Sequence, residues 1–161
     1  MKNRTATWFV CGIRYDKTMD DGLQKRVTEQ FVIDALSFTE ADERITEEMS
    51  SYMKDWEFEI KTCAFAPFRE VFFSDNADAD KWYKVKVDFI NHDEKTGKVK
   101  LAHVTYLIQA ATIDGALKNM RTIMNGSMLD YMIMSVSETN YQDVFEYKEK
   151  NADDGGSEET T

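Results

Sequence analysis

Residues 80–89 read DKWYKVKVDF. Their side chains alternate as they do along a β-strand with one buried face. Tyr83, Val85, Val87 and Phe89 fall on one side, which is a core face. Trp82, Lys84, Lys86 and Asp88 fall on the other. A tryptophan beside two lysines stands out in a chain of formal net charge −10.

The strand has an earlier counterpart. TWFVCGIRYD (7–16) lines up with KWYKVKVDFI (81–90), and FVIDALSFTEA (31–41) with YLIQAATIDGA (106–116). DWEFEIKT (55–62) lines up with DYMIMSVS (130–137), and FREVFF (68–73) with YQDVFEY (141–147). Identity is low, but order, polarity and spacing repeat across four blocks, which is the mark of an internal duplication.

Each half reads as strand, strand, helix, strand. The stretches DKTMDDGLQK and NHDEKTGKVK place Gly after charged, turn-forming residues, so both are expected to be hairpin loops. The second strands are expected at Val27–Ala35 and Val99–Ala110, rich in β-branched and aromatic residues. Ser37 and Glu40 form a Ser-x-x-Glu capping box that opens the first helix. Ala41, Ile45, Met49 and Tyr52 give that helix one apolar stripe, and Glu40, Asp42, Glu43, Glu47 and Glu48 give it an acidic face. Thr112 caps the second helix, Ala116, Met120 and Ile123–Met124 form its stripe, and Asn125–Gly126 ends it. In the third strands, Trp56, Phe58 and Ile60 alternate with charged residues, whereas Tyr131–Val136 is apolar on both sides. A strand of the latter kind is expected to be central or covered, either inside the monomer or by a second copy.

The expected fold is therefore α+β: two tandem ββαβ repeats, antiparallel sheet with helices on one face, related by a pseudo-two-fold. The first repeat spans 1–75 and the second 76–149. Residues 150–161, KNADDGGSEETT, hold one apolar residue, Ala152, and read as a disordered acidic tail. Net charge is −5 over 1–75, −2 over 76–149 and −3 over the tail, so the second half is the least acidic.

Composition narrows the function classes. With 42% hydrophobic and 31% charged residues, the chain can build a globular core. It holds no apolar run of the length a membrane helix needs and no signal-peptide stretch, which points to the cytoplasm, that of a host cell if the protein is phage-encoded. Cys11 and Cys63 form no C-x-x-C pair and read as buried free thiols. His92 sits in a hairpin loop and His103 in the next strand, without a convergent ligand set, so no metal is expected. DNADAD (75–80) lacks the Gly and distal Glu of a calcium loop. There is no Gly-rich phosphate loop and no nucleophile elbow, so neither a cofactor nor an enzymatic activity is indicated.

The outward strand faces remain. Trp8 and Arg14 in the first half, and Trp82, Lys84, Lys86, Lys98 and Lys100 in the second, combine aromatic with basic side chains. Aromatics on a sheet can stack bases while lysines and arginines follow phosphates. The same lysines also serve to protect sheet edges from aggregation. The leading expectation is a non-enzymatic binder of single-stranded DNA, with Trp8 and Trp82 stacking bases and the five cationic residues on phosphates. The tail would then contact a replication or host protein. The alternatives are a protein-interaction module, such as an inhibitor of a host or defence protein, and a binder of a signalling nucleotide.

TWFVCGIRYDKTMDDGLQKRVTEQFVIDALSFTEADERITEEM, followed by REVFF, KWYKVKVDF and DVFEY, resembles the family known as domain of unknown function 4494. The resemblance covers about residues 7 to 147 and leaves out the tail. It carries no catalytic residues to transfer. It implies a setting in gut bacteria, their phages and mobile elements, where small proteins serve replication or counter host defence.

Overall fold

The computed structural model describes residues 6–53 and 57–147. Trp56 and the 150–161 tail lie outside the described residues. The fold is mixed α+β, with eight strands in two four-stranded sheets and two helices among the described residues. In chain order the elements are β1 (Thr7–Thr18), β2 (Gln24–Ala35), α1 (Phe38–Met53), β3 (Phe58–Phe65) and β4 (Glu70–Phe72). They continue with β5 (Lys81–His92), β6 (Val99–Ala110), α2 (Ile113–Met124), β7 (Asp130–Glu138) and β8 (Tyr141–Phe145). One sheet has the order β3-β1-β2-β8 and the other β4-β6-β5-β7.

The chain divides into two compact units, one running to Ala64 and resuming at Asp143, the other Phe65–Gln142. The repeats expected from the sequence divide at 75/76 instead, so the two partitions differ in where they put the fourth block of each half. FREVFF supplies β4, which pairs parallel with β6 of the second unit, Glu70 against Tyr106 and Phe72 against Ile108. YQDVFEY supplies β8, which lies beside β2 in the first sheet. Both blocks are strands that a ββαβ reading leaves out.

The long hairpins form where turn chemistry puts them. β1 and β2 pair from Thr7 opposite Ala35 to Thr18 opposite Gln24, and β5 and β6 from Lys81 opposite Ala110 to His92 opposite Val99. Gly22 (φ +84°) and Gly97 (φ +70°) take the left-handed backbone that closes each turn, a conformation costly for residues with a Cβ. Each helix opens on a hydroxyl cap. Ser37 Oγ accepts from Glu40 N–H at 3.1 Å, and Thr112 Oγ1 from Gly115 N–H at 3.0 Å.

Each helix covers one face of a sheet. In the first unit Ala41, Ile45, Met49 and Met53 of α1 bury against Phe9, Cys11, Ile13, Phe31 and Ile33. Met53 fills the place expected for Tyr52, whose ring lies at the rim, edge-on to Phe31 at 5.3 Å. In the second unit Met120 and Met124 of α2 meet Val85, Val87, Tyr106 and Ile108, with Tyr131, Ile133 and Val136 of β7 at the margin. The Tyr83–Phe89 face is thus the core face, as its alternation indicates. Burial does not stop there: Val32 and Leu107 on the opposite faces of their sheets are also fully buried.

The ends of the two fourth strands are held alike. Asp34 sits buried at the end of β2. Its Oδ1 accepts from Tyr147 N–H at 2.8 Å, and Arg44 of α1 donates to both its side chain and its carbonyl. The Arg44 guanidinium also lies 5.3 Å from the Tyr147 ring centroid, within cation–π range. At the end of β6, Gln109 Oε1 accepts from Ser74 N–H at 3.0 Å, and its carbonyl from Asn119 Nδ2 of α2 at 3.3 Å.

Candidate functional site

The seven residues expected to hold nucleic acid divide between the two units, Trp8 and Arg14 in the first and Trp82, Lys84, Lys86, Lys98 and Lys100 in the second. In β1, Trp8 and Arg14 are half-buried, opposite Asp34 and Thr28. Trp82 is only 4% exposed. Its ring meets Phe73 edge-to-face at 5.4 Å, and its carbonyl accepts from both the N–H and the hydroxyl of Thr139 at 2.8 Å. Placed so, the indole is packing material and offers no open ring to a base.

The lysines divide between the faces of the second sheet. Lys84 is half-buried, opposite Leu107 and Ser137; Lys86 is exposed, opposite Thr105 and Ser135. Directly opposed residues in an antiparallel pair share a face, so these polar groups surround Lys86. Lys100 is opposite Asn91, which puts it on the alternate side of the sheet. Lys98 lies in the turn, its carbonyl accepting from Asp93 N–H at 2.9 Å.

Next to Lys86 on the same face is a pair that residue-by-residue inspection missed. Asp88 is buried, and its Oδ1 lies 2.6 Å from Nδ1 of the exposed His103. The signal was available in the hairpin. Asp93 and Lys98 close the turn, and counting back along both strands sets Asp88 against His103. Among the described residues, no three His, Cys, Asp or Glu side chains gather into a metal site.

The other feature of this unit is the edge strand β7. It pairs with β5 alone, and the pairing is irregular: Ser135 opposes Lys86 while Ile133 opposes Val87, which leaves Met134 as the extra residue of a bulge. The bulge puts Tyr131, Ile133 and Val136 together on the core face. It leaves Met132 and Met134 exposed at 43% and 56%, continuous in sequence with Met128 at 100% and Leu129 at 51%. This corrects the expectation of a central strand or one covered inside the monomer: within the single chain the apolar residues on its second side are exposed.

The four sheet edges differ. β4 has three residues and β8 five, too short to template much pairing, and β3 carries Glu59 and Lys61, which form an ion pair at 3.6 Å. Short strands and charges are the usual protection of an edge. β7 runs nine residues with no charge between Asp130 and Glu138.

Among the described residues, no helix is long and apolar enough to cross a membrane. No curated protein and no solved structure matches the chain. The family comparison does match, over residues 7–147, which takes in both hairpins, both helices and both fourth strands. On that span the chain belongs to the family described as Domain of unknown function (DUF4494).

Proposed function

We propose that this protein is a non-enzymatic binding module whose contact surface is the β7 edge and the turn that leads into it. The observation that carries the reading is the exposure of Met128, Leu129, Met132 and Met134, within seven residues that span the edge strand β7 and the turn before it. Methionine side chains are flexible and polarizable, and suit surfaces that adapt to a partner. The partner's chemistry follows from the flanks. Asp130 and Glu138 bracket the apolar run in a chain of net charge −10, so the complementary segment is apolar in its middle and basic at its ends. Self-pairing in antiparallel register would oppose Asp130 to Glu138 of the second copy, which like charge disfavours.

A photo-cross-linker at position 128, used in extract of the source cell, tests this. The wild-type protein is expected to capture a discrete partner through a basic-flanked apolar segment. The Met132→Lys, Met134→Lys double variant, with unchanged circular dichroism, is expected to lose it. Equal capture by both proteins overturns the reading.

Single-stranded DNA is the second reading, and one observation favours it. Lys84 and Lys86 share a sheet face with Thr105, Ser135 and His103, a set of groups suited to phosphate. Salt-dependent binding of a fluorescent oligonucleotide that disappears in Lys84→Ala, Lys86→Ala would put this reading first. The 150–161 tail would then compete with DNA for the same face.

We further infer that the two halves are copies of one ββαβ unit related by a pseudo-two-fold, each extended by a fourth strand. Four correspondences support it: the strand orders, the helix caps at Ser37 and Thr112, the turn glycines Gly22 and Gly97, and the hydrogen-bonded ends at Asp34 and Gln109. The family resemblance supports an intracellular setting in a phage or mobile element.

A further inference from the structure

The first unit contains a thiol pair that the binding surface does not use. Cys11 lies in β1, buried among the residues under α1. Cys63 lies in the neighbouring edge strand β3 and is half-buried. Both are free, and their sulfurs are 2.8 Å apart. Two unbonded sulfurs do not ordinarily rest so close. A disulfide requires two cysteines close enough for their side chains to point at each other, and sulfurs 2.8 Å apart meet that condition here. We propose that Cys11 and Cys63 form an oxidisable pair that closes to an intramolecular disulfide by exchange with a small-molecule disulfide such as oxidised glutathione.

The order of events follows from exposure. Cys63 is the thiol that solvent reaches, so its thiolate attacks the incoming disulfide. One sulfur–sulfur bond breaks, a Cys63–glutathione bond forms, and the first glutathione leaves as thiolate. Cys11 then attacks the Cys63 sulfur, the protein disulfide forms, and the second glutathione leaves. The two protons lost by the cysteines end on the two glutathiones, and the protein is oxidised by two electrons. Burial pushes the Cys11 thiol up, and so do the hydrogen bond and charge of Cys63, which makes Cys11 the slow partner when it faces an outside reagent. Against a sulfur already in contact, proximity offsets that disadvantage.

The consequence is local. β3 is an edge strand that pairs only with β1, and Cys63 is one residue before the end of the first unit's opening segment at Ala64. Closing the bond pins β3 at that end and joins residues 52 apart in sequence.

Intact-mass and hydrogen-exchange measurements on the full chain, equilibrated with oxidised glutathione, test this. The wild-type protein is expected to become lighter by two hydrogens, carry no adduct, and regain its mass with dithiothreitol. Amides of residues 58–65 are expected to exchange more slowly after oxidation. Cys11→Ser is expected to stop at one glutathione adduct on Cys63, and Cys63→Ser to take up little glutathione while folded. A stable adduct on the wild type, a disulfide-linked dimer, or equal labelling of the two single variants would overturn the proposal. Near-ultraviolet circular dichroism shows whether either serine variant has lost its fold. If one has, the wild-type mass and exchange results decide alone.

Discussion

Arg44 and Asp34 show how much of this fold hangs on single buried polar groups. Asp34 is one of two buried charged residues among the described ones, and its Oδ1 accepts from both Arg44 and Tyr147 N–H. Removing a partner leaves a carboxylate in a place where water cannot replace it. Arg44→Ala is therefore expected to cost about 3 kcal/mol, the lower end for a broken buried pair because Tyr147 still donates. Urea unfolding measures this, and a loss under about 1 kcal/mol would show that water reaches Asp34. Asp143 poses the opposite problem. Burial raises its carboxyl above the ordinary 3.8, and a hydrogen bond from Val144 N–H at 2.8 Å only partly opposes it. The folded state thus holds the proton more tightly than the unfolded chain. The associated stability is present below the ordinary value and is lost as pH rises through the raised folded one. Asp143→Asn is expected to raise the thermal midpoint at pH 7, and the advantage is expected to vanish on acidification below 3.8. An advantage that persists at low pH would refute the assignment to ionisation.

At the scale of the element, β7 is the strand where sequence pattern and structure part. Strict alternation puts Tyr131, Ile133 and Ser135 on one side. The structure puts Tyr131, Ile133 and Val136 there, because the bulge at Met134 shifts the count by one. A one-residue shift exchanges the faces of everything beyond it, and no residue type in YMIMSVS announces it. The helices and hairpins needed no such knowledge. Ser37, Thr112, Gly22 and Gly97 are local signals whose consequences are local, and each does in the fold what its residue type favours. Trp82 failed for a different reason. Its position opposite the core face is correct, but the cover from Phe73 comes from a segment that periodicity does not place. The bulge makes an unusual prediction. Deleting Met134 leaves Ile133, Ser135 and Val136 in regular alternation with their present faces intact, so stability should stay within about 1 kcal/mol of wild type. Deleting Met132 instead turns Tyr131 away from the core and should cost about 2 kcal/mol or more. Denaturant midpoints of the two deletions decide it; equal losses would mean that β7 has no such register.

For the whole molecule, the informative disagreement is between the repeats expected from the sequence and the compact units that the chain forms. A repeat boundary at 75/76 is legible because the first blocks of both halves look alike. The destination of the fourth blocks is not, because a strand's partner depends on long-range pairing that its own residues do not encode. FREVFF and YQDVFEY are similar and are both used as sheet edges, each in the sheet to which the other half contributes most strands. Two fragments separate the partitions. Residues 65–142 contain all of β4, β6, β5 and β7 with α2. Residues 76–149 lack β4 and carry β8 without β2. β4 and the two residues after it contribute three paired residues along β6, the Phe72 ring at 5.6 Å from Tyr106, the Phe73 ring against Trp82, and the Ser74 N–H bond to Gln109. Burying one large aromatic side chain is worth about 1.5–3 kcal/mol. The 65–142 fragment is therefore expected to exceed 76–149 in stability by about 2 kcal/mol or more, with a sharper urea transition and slower amide exchange along β6. A synthetic peptide of residues 65–75 added to 76–149 should recover part of the difference, since the parallel pairing to β6 does not require a covalent link. If 76–149 proves the more stable fragment, the fourth strand belongs with its own repeat and the exchange seen in the sheet order is not what stabilises the fold.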